Sequence, residues 1–205
     1  SSTIFTGSTA SEFATEMLEP DKEFEIAHDP FFAGRFVVVW ADEDNSNRAS
    51  ARLGKTDGKS IVWGPVTQVD DTNQANGPSL CVTFDPITAN RFVISFNDGK
   101  TQFVVGTITG VAQTGLRISL ASSVTGGGGS QFGSGSIASS AIAMDPNVSG
   151  NLVFVYRDPS NGYGYALFAN INSAGVLSTY SSSETAFASF DCDQLSIEFL
   201  KNSAG

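Results

Sequence analysis

Carboxylates are the residues with the most chemistry to offer. Asp42, Asp44 and Ser46 alternate as the first oxygen ligands of a Ca²⁺ loop do. Asn47 and Leu53 stand where such a loop needs its sixth-position Gly and twelfth-position Glu, so a solvated acidic turn is the plainer reading. Calcium is the only cofactor considered, and no resident metal is expected. Asp42, Glu43, Asp44, Asp70, Asp71, Asp98, Asp158 and Glu184 include pairs that could act as acid and base on a glycoside. His28 is the only histidine, so a Ser-His-Asp device or a zinc site with several imidazoles has little to work with. Gly126–Gly129 is glycine-rich, but no Lys-Ser/Thr follows to hold a phosphate, and a flexible loop is the simpler reading. Cys81 and Cys192 have no CxxC or Cys/His spacing and are expected to be buried free thiols. Trp63, Tyr163, Tyr165 and Tyr180 offer ring faces to a sugar, Tyr163 being the most loop-like.

These residues sit within a repeat. Three segments align without gaps: His28–Asp42 (HDPFFAGRFVVVWAD), Phe84–Asp98 (FDPITANRFVISFND) and Met144–Asp158 (MDPNVSGNLVFVYRD). Each opens on Asp-Pro and closes on Asp42, Asp98 or Asp158, with Trp40, Phe96 or Tyr156 two residues before that Asp. A degenerate fourth copy starts at Phe190–Asp191. The leading Asp residues at 29, 85, 145 and 191 give a period of roughly 46–60 residues, which suits a unit of four short strands. Catalysis needs different residues in different roles, so an aspartate recurring at one position points to turn capping. His28 has Phe84, Met144 and Phe190 as counterparts, which points to an imidazole at the edge of the core.

The second copy shows the strands. SLCVTF, RFVISF, QFVVGTI and LRISL are rich in β-branched and aromatic residues and are separated by turn formers. Asp accepts backbone N–H bonds in a first turn position and Pro presets φ in the next, so each Asp-Pro ends the first strand. Gly34, Asn90 and Gly150 precede the second strand, where a left-handed residue completes the turn. Runs such as FVVVW, apolar without alternation, require a sheet covered on both faces. The fold expected is therefore all-β: a β-propeller, or a segment of one, built of four-stranded antiparallel blades. The blades span 23–66, 79–120 and 137–180. Residues 1–22 hold a partial strand (Thr3–Thr6), a short helix over 9–18 and a linker, and 186–205 form a further partial blade. A propeller segment is preferred over a small closed ring because the last copy lacks its third strand.

The chain has 205 residues, 40% hydrophobic and 16% charged, with 21 Gly and 16 Phe. Too much apolar material is spaced as strands for disorder. The net charge of −10 repels phosphate backbones and anionic lipid, which excludes nucleic acid and membrane insertion as main modes of action. The longest apolar runs are strand-sized.

The pattern DP-x4-R/N followed by the strand, the aromatic and the second Asp, and then by an Asn/Ser/Gly turn (DNSN at 44–47, PSNGYGYA at 159–166), resembles the roughly 50-residue repeats of virion-surface and tail-fibre-type proteins of marine phages and algal viruses. GTITG at 106–110 matches a further element of those repeats. The resemblance implies a non-enzymatic structural or host-attachment module on a virion or other extracellular surface, part of a larger assembly. Its partners would be a surface glycan, a protein receptor or sister subunits. Binding is expected through the irregular loops between second and third strands and between successive copies, with Asp42, Asp44, Asp98, Asp158 and Tyr163 as ligand-binding candidates. A purely architectural protein and a glycan-active propeller enzyme are the alternatives.

Overall fold

The computed structural model describes residues 24–69, 80–97, 101–110, 115, 117–121, 137–179, 184–192 and 194–200. They form three antiparallel sheets. The first runs β1 (Phe24–His28), β2 (Arg35–Asp42), β3 (Arg48–Thr56), β4 (Ile61–Gln68). The second runs β5 (Cys81–Phe84), β6 (Arg91–Asn97), β7 (Thr101–Thr109), β8 (Arg117–Leu120). The third runs β9 (Ser139–Met144), β10 (Asn151–Arg157), β11 (Gly164–Ile171), β12 (Leu177–Thr179), with β13 (Thr185–Ala188) added on β11. Each sheet is the meander expected of its repeat. The strand and helix expected within residues 1–22 lie outside the described residues.

One element differs from expectation. The sequence places residues 186–188 in the partial blade over 186–205, yet β13 pairs with β11 through Gly164↔Ala188, Tyr165↔Ala186 and Ala166↔Thr185. The cause is an open edge. β12 covers only Ala169–Ile171 of β11, and the remaining N–H and C=O groups need partners. β13 supplies them, and the strand at that edge of the third sheet is thus split in two.

Side-chain alternation stacks the sheets. In β2, Val37, Val39 and Ala41 face the second sheet, where they meet Phe92, Ile94 and Phe96 of β6. Val93, Phe103 and Val105 lie on the other face of the second sheet and pack against Leu152, Phe154 and Tyr156 of β10. The Phe103 and Phe154 rings meet edge-on with centroids 4.9 Å apart. The second sheet is thus buried on both faces, as its unbroken apolar strand requires. Strand register adjusts the fit. Phe36 lies opposite Gly54 and Phe92 opposite Gly106, whereas the smaller Leu152 lies opposite Ala169. A Cβ on Gly106 would sit 2.2 Å from the Phe92 ring, so the missing side chain is the seat for that ring.

The Asp-Pro turns share one backbone. The amides of Asp29, Asp85 and Asp145 donate to the carbonyls of Arg35, Arg91 and Asn151 at 2.9 Å in all three. One carboxylate oxygen accepts the amide two residues on: Phe31, Ile87 and Asn147, each at 2.8 Å. Gly34, Asn90 and Gly150 are left-handed, with φ of 75°, 67° and 80°. The second oxygen differs between copies. Asp29 Oδ2 receives Arg35 Nε at 2.6 Å, and Asp85 Oδ2 receives Arg91 Nε at 2.8 Å, and the Nη2 group closes on the same oxygen in both. All four side chains are buried or nearly so. Each arginine also reaches the next sheet. Arg35 Nη2 donates to Asn90 Oδ1 at 2.6 Å, and Arg91 Nη2 to Ser149 Oγ at 3.0 Å. In the third copy Asn151 is too short for this role. It accepts from Asn170 Nδ2 at 2.8 Å, and Asp145 is only half-buried.

The first strands lie side by side, β1 against β5 and β5 against β9. Side chains satisfy their edges. Glu25 accepts the Val82 amide at 2.9 Å, and the Cys81 thiol donates to the Ser140 carbonyl at 3.3 Å. Cys81 is a buried free thiol as expected, whereas Cys192 is free but only half-buried.

Two stability changes follow. Arg91→Ala strands a buried carboxylate and is expected to cost about 3–5 kcal/mol in urea unfolding; Asp85→Asn with Arg91→Met should recover much of that. Gly106→Ala drives a methyl into the Phe92 ring and should cost about 1–3 kcal/mol, with Phe92→Leu in the same chain restoring part of the loss, as Leu152 and Ala169 already fit together in the third sheet.

Candidate functional site

The loops between second and third strands, together with those between copies, emerge at one end of the three sheets. Much of that end lies outside the described residues: 70–79, 98–100, 122–136 and 180–183, with Asp98, Asp70, Asp71 and Tyr180 among them. The turn joining β10 to β11 is described in full.

Asp158 begins that turn. Its Oδ1 accepts the Ser160 amide at 2.8 Å and the Ser160 hydroxyl at 2.7 Å, and its backbone amide donates to the Tyr163 carbonyl at 3.0 Å. Asn161 turns back, donating from Nδ2 to the Tyr165 hydroxyl at 3.1 Å while its Oδ1 accepts the Tyr163 amide at 2.8 Å. The Tyr163 ring is 37% exposed beside this network. Tyr165 and Tyr156 stack at 5.5 Å, and the stack continues inward through Phe154. The Tyr156 hydroxyl donates to Glu184, which immediately precedes β13. Ser95 and Thr101 lie on the face of the second sheet turned toward the third, and their hydroxyls are buried without a partner. The site therefore joins an inner aromatic ladder to an outer rim of carboxylate, amide and phenol.

The equivalent turn in the first sheet is built differently. Asp42 is the last residue of β2 and is buried, with the Ser50 hydroxyl 3.4 Å from its Oδ2. It precedes a short 3-10 turn, Glu43–Asn45, without capping it. Asp44 is exposed in that turn, and Ser46 and Asn47 are left-handed with φ of 61° and 58°. Position alone made Asp42 and Asp158 equivalent, yet only Asp158 caps its turn. Of the binding candidates, Asp158 and Tyr163 stand together; Asp42 and Asp44 belong to the first sheet. No group of three or more metal-ligating side chains is found among the described residues.

A cavity of about 330 Å³ opens at the opposite end of the sheets, among the Asp-Pro turns. Equivalent positions of the three copies line it: His28, Phe84 and Met144, and Pro30, Pro86 and Pro146. Ile197, Glu198 and Phe199 make its fourth side. Around these, residues 194–200 run without regular hydrogen bonding, but their exposure alternates as in a strand, with Leu195, Ile197 and Phe199 turned inward. His28 was expected at the core edge, but it is exposed on the cavity wall, because β1 is an edge strand whose Phe24, Ile26 and His28 side all remains open. The repeat already holds the signal for this cavity, since the second position after each first strand is Pro in all three copies. Only the fourth wall is unreadable from the sequence, because the degenerate copy keeps no proline there.

Comparison with protein-family models, curated proteins and solved structures returns no match.

Proposed function

We propose that this chain is a non-enzymatic, propeller-type structural module that binds a glycan through the loop end of its third sheet. The stacked sheets, with their first strands side by side along an inner line, support the propeller reading, because successive sheets in a propeller bury the same two faces in turn. The binding reading is carried by one observation: the Tyr156–Tyr165 stack ends in a rim of Asp158, Asn161, Tyr163 and Glu184. Sugars are recognised by apolar ring faces together with planar polar groups that take paired hydroxyls. The buried charges Asp29, Arg35, Asp85 and Arg91 are spent on turns and sheet-to-sheet contacts, which suits a scaffold. A surface role within a larger assembly, on a virion or outside a cell, accords with the tail-fibre-type resemblance of the repeat.

The test is a glycan array with the intact chain and with Tyr163→Ala. A defined glycan class should bind the intact chain, and Tyr163→Ala should weaken it by up to about ten-fold, since an aromatic ring contact is worth about 0.5–1.5 kcal/mol. Thermal unfolding should be unchanged for this variant. Asp158→Ala is expected to lower stability by about 1 kcal/mol through loss of its turn bonds. An array without any hit, combined with self-association in light scattering, would favour the architectural reading.

A further inference from the structure

The cavity among the Asp-Pro turns has a regularity that extends beyond the three sheets. β1, β5 and β9 each run from the loop end to the turn end, and their last residues, His28, Phe84 and Met144, line the cavity. Phe199 lines it beside them, and in all four cases the preceding residue does so too. His28, Phe84, Met144 and Phe199 follow one another at intervals of 56, 60 and 55 residues. Asp191 follows Asp145 by only 46. Phe199, rather than Phe190, therefore holds the repeat position of His28, Phe84 and Met144.

The path of the chain agrees. Asp191 receives Arg157 Nε, and the Cys192 amide donates to the Gly162 carbonyl, so both stand at the loop end. Phe199 stands at the turn end. The seven steps from Cys192 to Phe199 cover about 23 Å when extended. β10 has 7 residues and joins the same two ends. Residues 194–200 thus span the height of the sheets in the direction of β1, β5 and β9. Their side chains alternate in the same manner. Val82 and Phe84 pack into the core shared with the first sheet, and Met144 into the core shared with the second. Ile197 and Phe199, at the equivalent positions, are on the half-buried side of their segment.

We propose that residues 194–200 are a fourth inner strand that closes the sheets into a ring by joining the third to the first. This closure rests on the propeller reading. Ile197 and Phe199 share one cavity with Ala27 and His28 of β1 and with Ile142 and Met144 of β9. In an open row of sheets, no segment after the third sheet would meet the first. β5 is covered by β2 of the sheet before it. No strand among the described residues takes that place over β1, which accounts for Phe24 and Ile26, each 57% exposed. The closing strand follows directly on Asp191 and Cys192, which brace the tyrosine turn, so closure and the rim share one run of chain.

Nitroxide tags test the closure by NMR. Cys81 is buried, so in a Cys192→Ser chain a tag can be placed at Gln194→Cys or at Leu200→Cys, both exposed. The tag at 200 should broaden the amide signals of His28 and Met144 most. The tag at 194 should broaden those of Phe24 and Ser140 most, one on each neighbouring inner strand. Broadening on β9 alone would leave an open propeller segment standing and overturn the closure. Broadening of the same amides by both tags would overturn the fourth-strand path. Ile197→Ser with Phe199→Ser should speed hydrogen exchange in β1 by about ten-fold or more, because β1 loses a neighbour. Exchange in β6, which lies between two sheets, should stay as it is. Unchanged exchange in β1 would count against the closure as decisively as the tags. None of these readouts needs a sugar, so an empty glycan array and a failed closure are told apart.

Discussion

Two buried Asp–Arg pairs hold the relation between successive sheets. A buried carboxylate needs every lone pair used, and a guanidinium needs each donor placed. Asp29 and Asp85 each divide their oxygens between the turn that ends one strand and the arginine that begins the next. The arginine then has a donor left over, and it extends to the following sheet. Turn geometry and sheet order are thus joined through a single side chain. Apolar stacking alone would allow one sheet to slide along its neighbour. The extra hydrogen bond to Asn90 or Ser149 exists in one register only. Buried ion pairs are weak contributors to net stability, and fixing register is the use for which they are best attested.

The same device explains why the copies are not equal. Arginine links the first sheet to the second, and the second to the third. At the third, Asn151 holds its own sheet through Asn170 instead. Asp145 is accordingly less buried than its counterparts, since a carboxylate without a guanidinium is better left near water. The third sheet also differs at its far edge, where β13 replaces part of a full-length fourth strand. The run from β13 then continues to Asp191, which receives Arg157 Nε at 2.9 Å, and to Cys192, whose amide donates to the Gly162 carbonyl at 3.2 Å. Strand β13 and residues 191–192 therefore brace the one turn that carries the tyrosine rim.

Much of the scaffold was legible in the residues themselves. Asp-Pro, a left-handed residue before the second strand and an apolar run without alternation each have a local physical cause, so the three meanders and their turn conformations could be read directly. The Phe92–Gly106 fit was legible only as a glycine in a strand, because its partner lies across the sheet. The pairing of residues 186–188 with the third sheet is not legible for a related reason: the sequence groups them with the partial blade over 186–205, while the edge left open by a short β12 is a feature of pairing. Site residues divided in the same way. Tyr163 stood out because it sits in a turn of small polar residues. Asp42 and Asp158 looked alike because equivalence in a repeat records backbone position, and their different partners depend on loop composition beyond them. Glu184 was one acid among many until β13 brought it to the Tyr156 hydroxyl.

Departures from the repeat are therefore the informative positions. Residues that recur, such as Asp29 and Asp85 or Pro30, Pro86 and Pro146, serve the geometry that every sheet shares. Residues that occur once break that geometry locally, and the scaffold must tolerate the cost. His28 puts an imidazole where the other sheets place Phe84 and Met144, and it does so beside a cavity. Tyr163 and Asn161 stand in a turn whose first-sheet counterpart is a 3-10 segment of acidic residues. These singular features sit at opposite ends of the same three sheets. The Asp–Arg pairs stand apart from the tyrosine rim, whereas the core between the second and third sheets runs into it through Phe154 and Tyr156, so the rim is held by the same packing that joins those sheets.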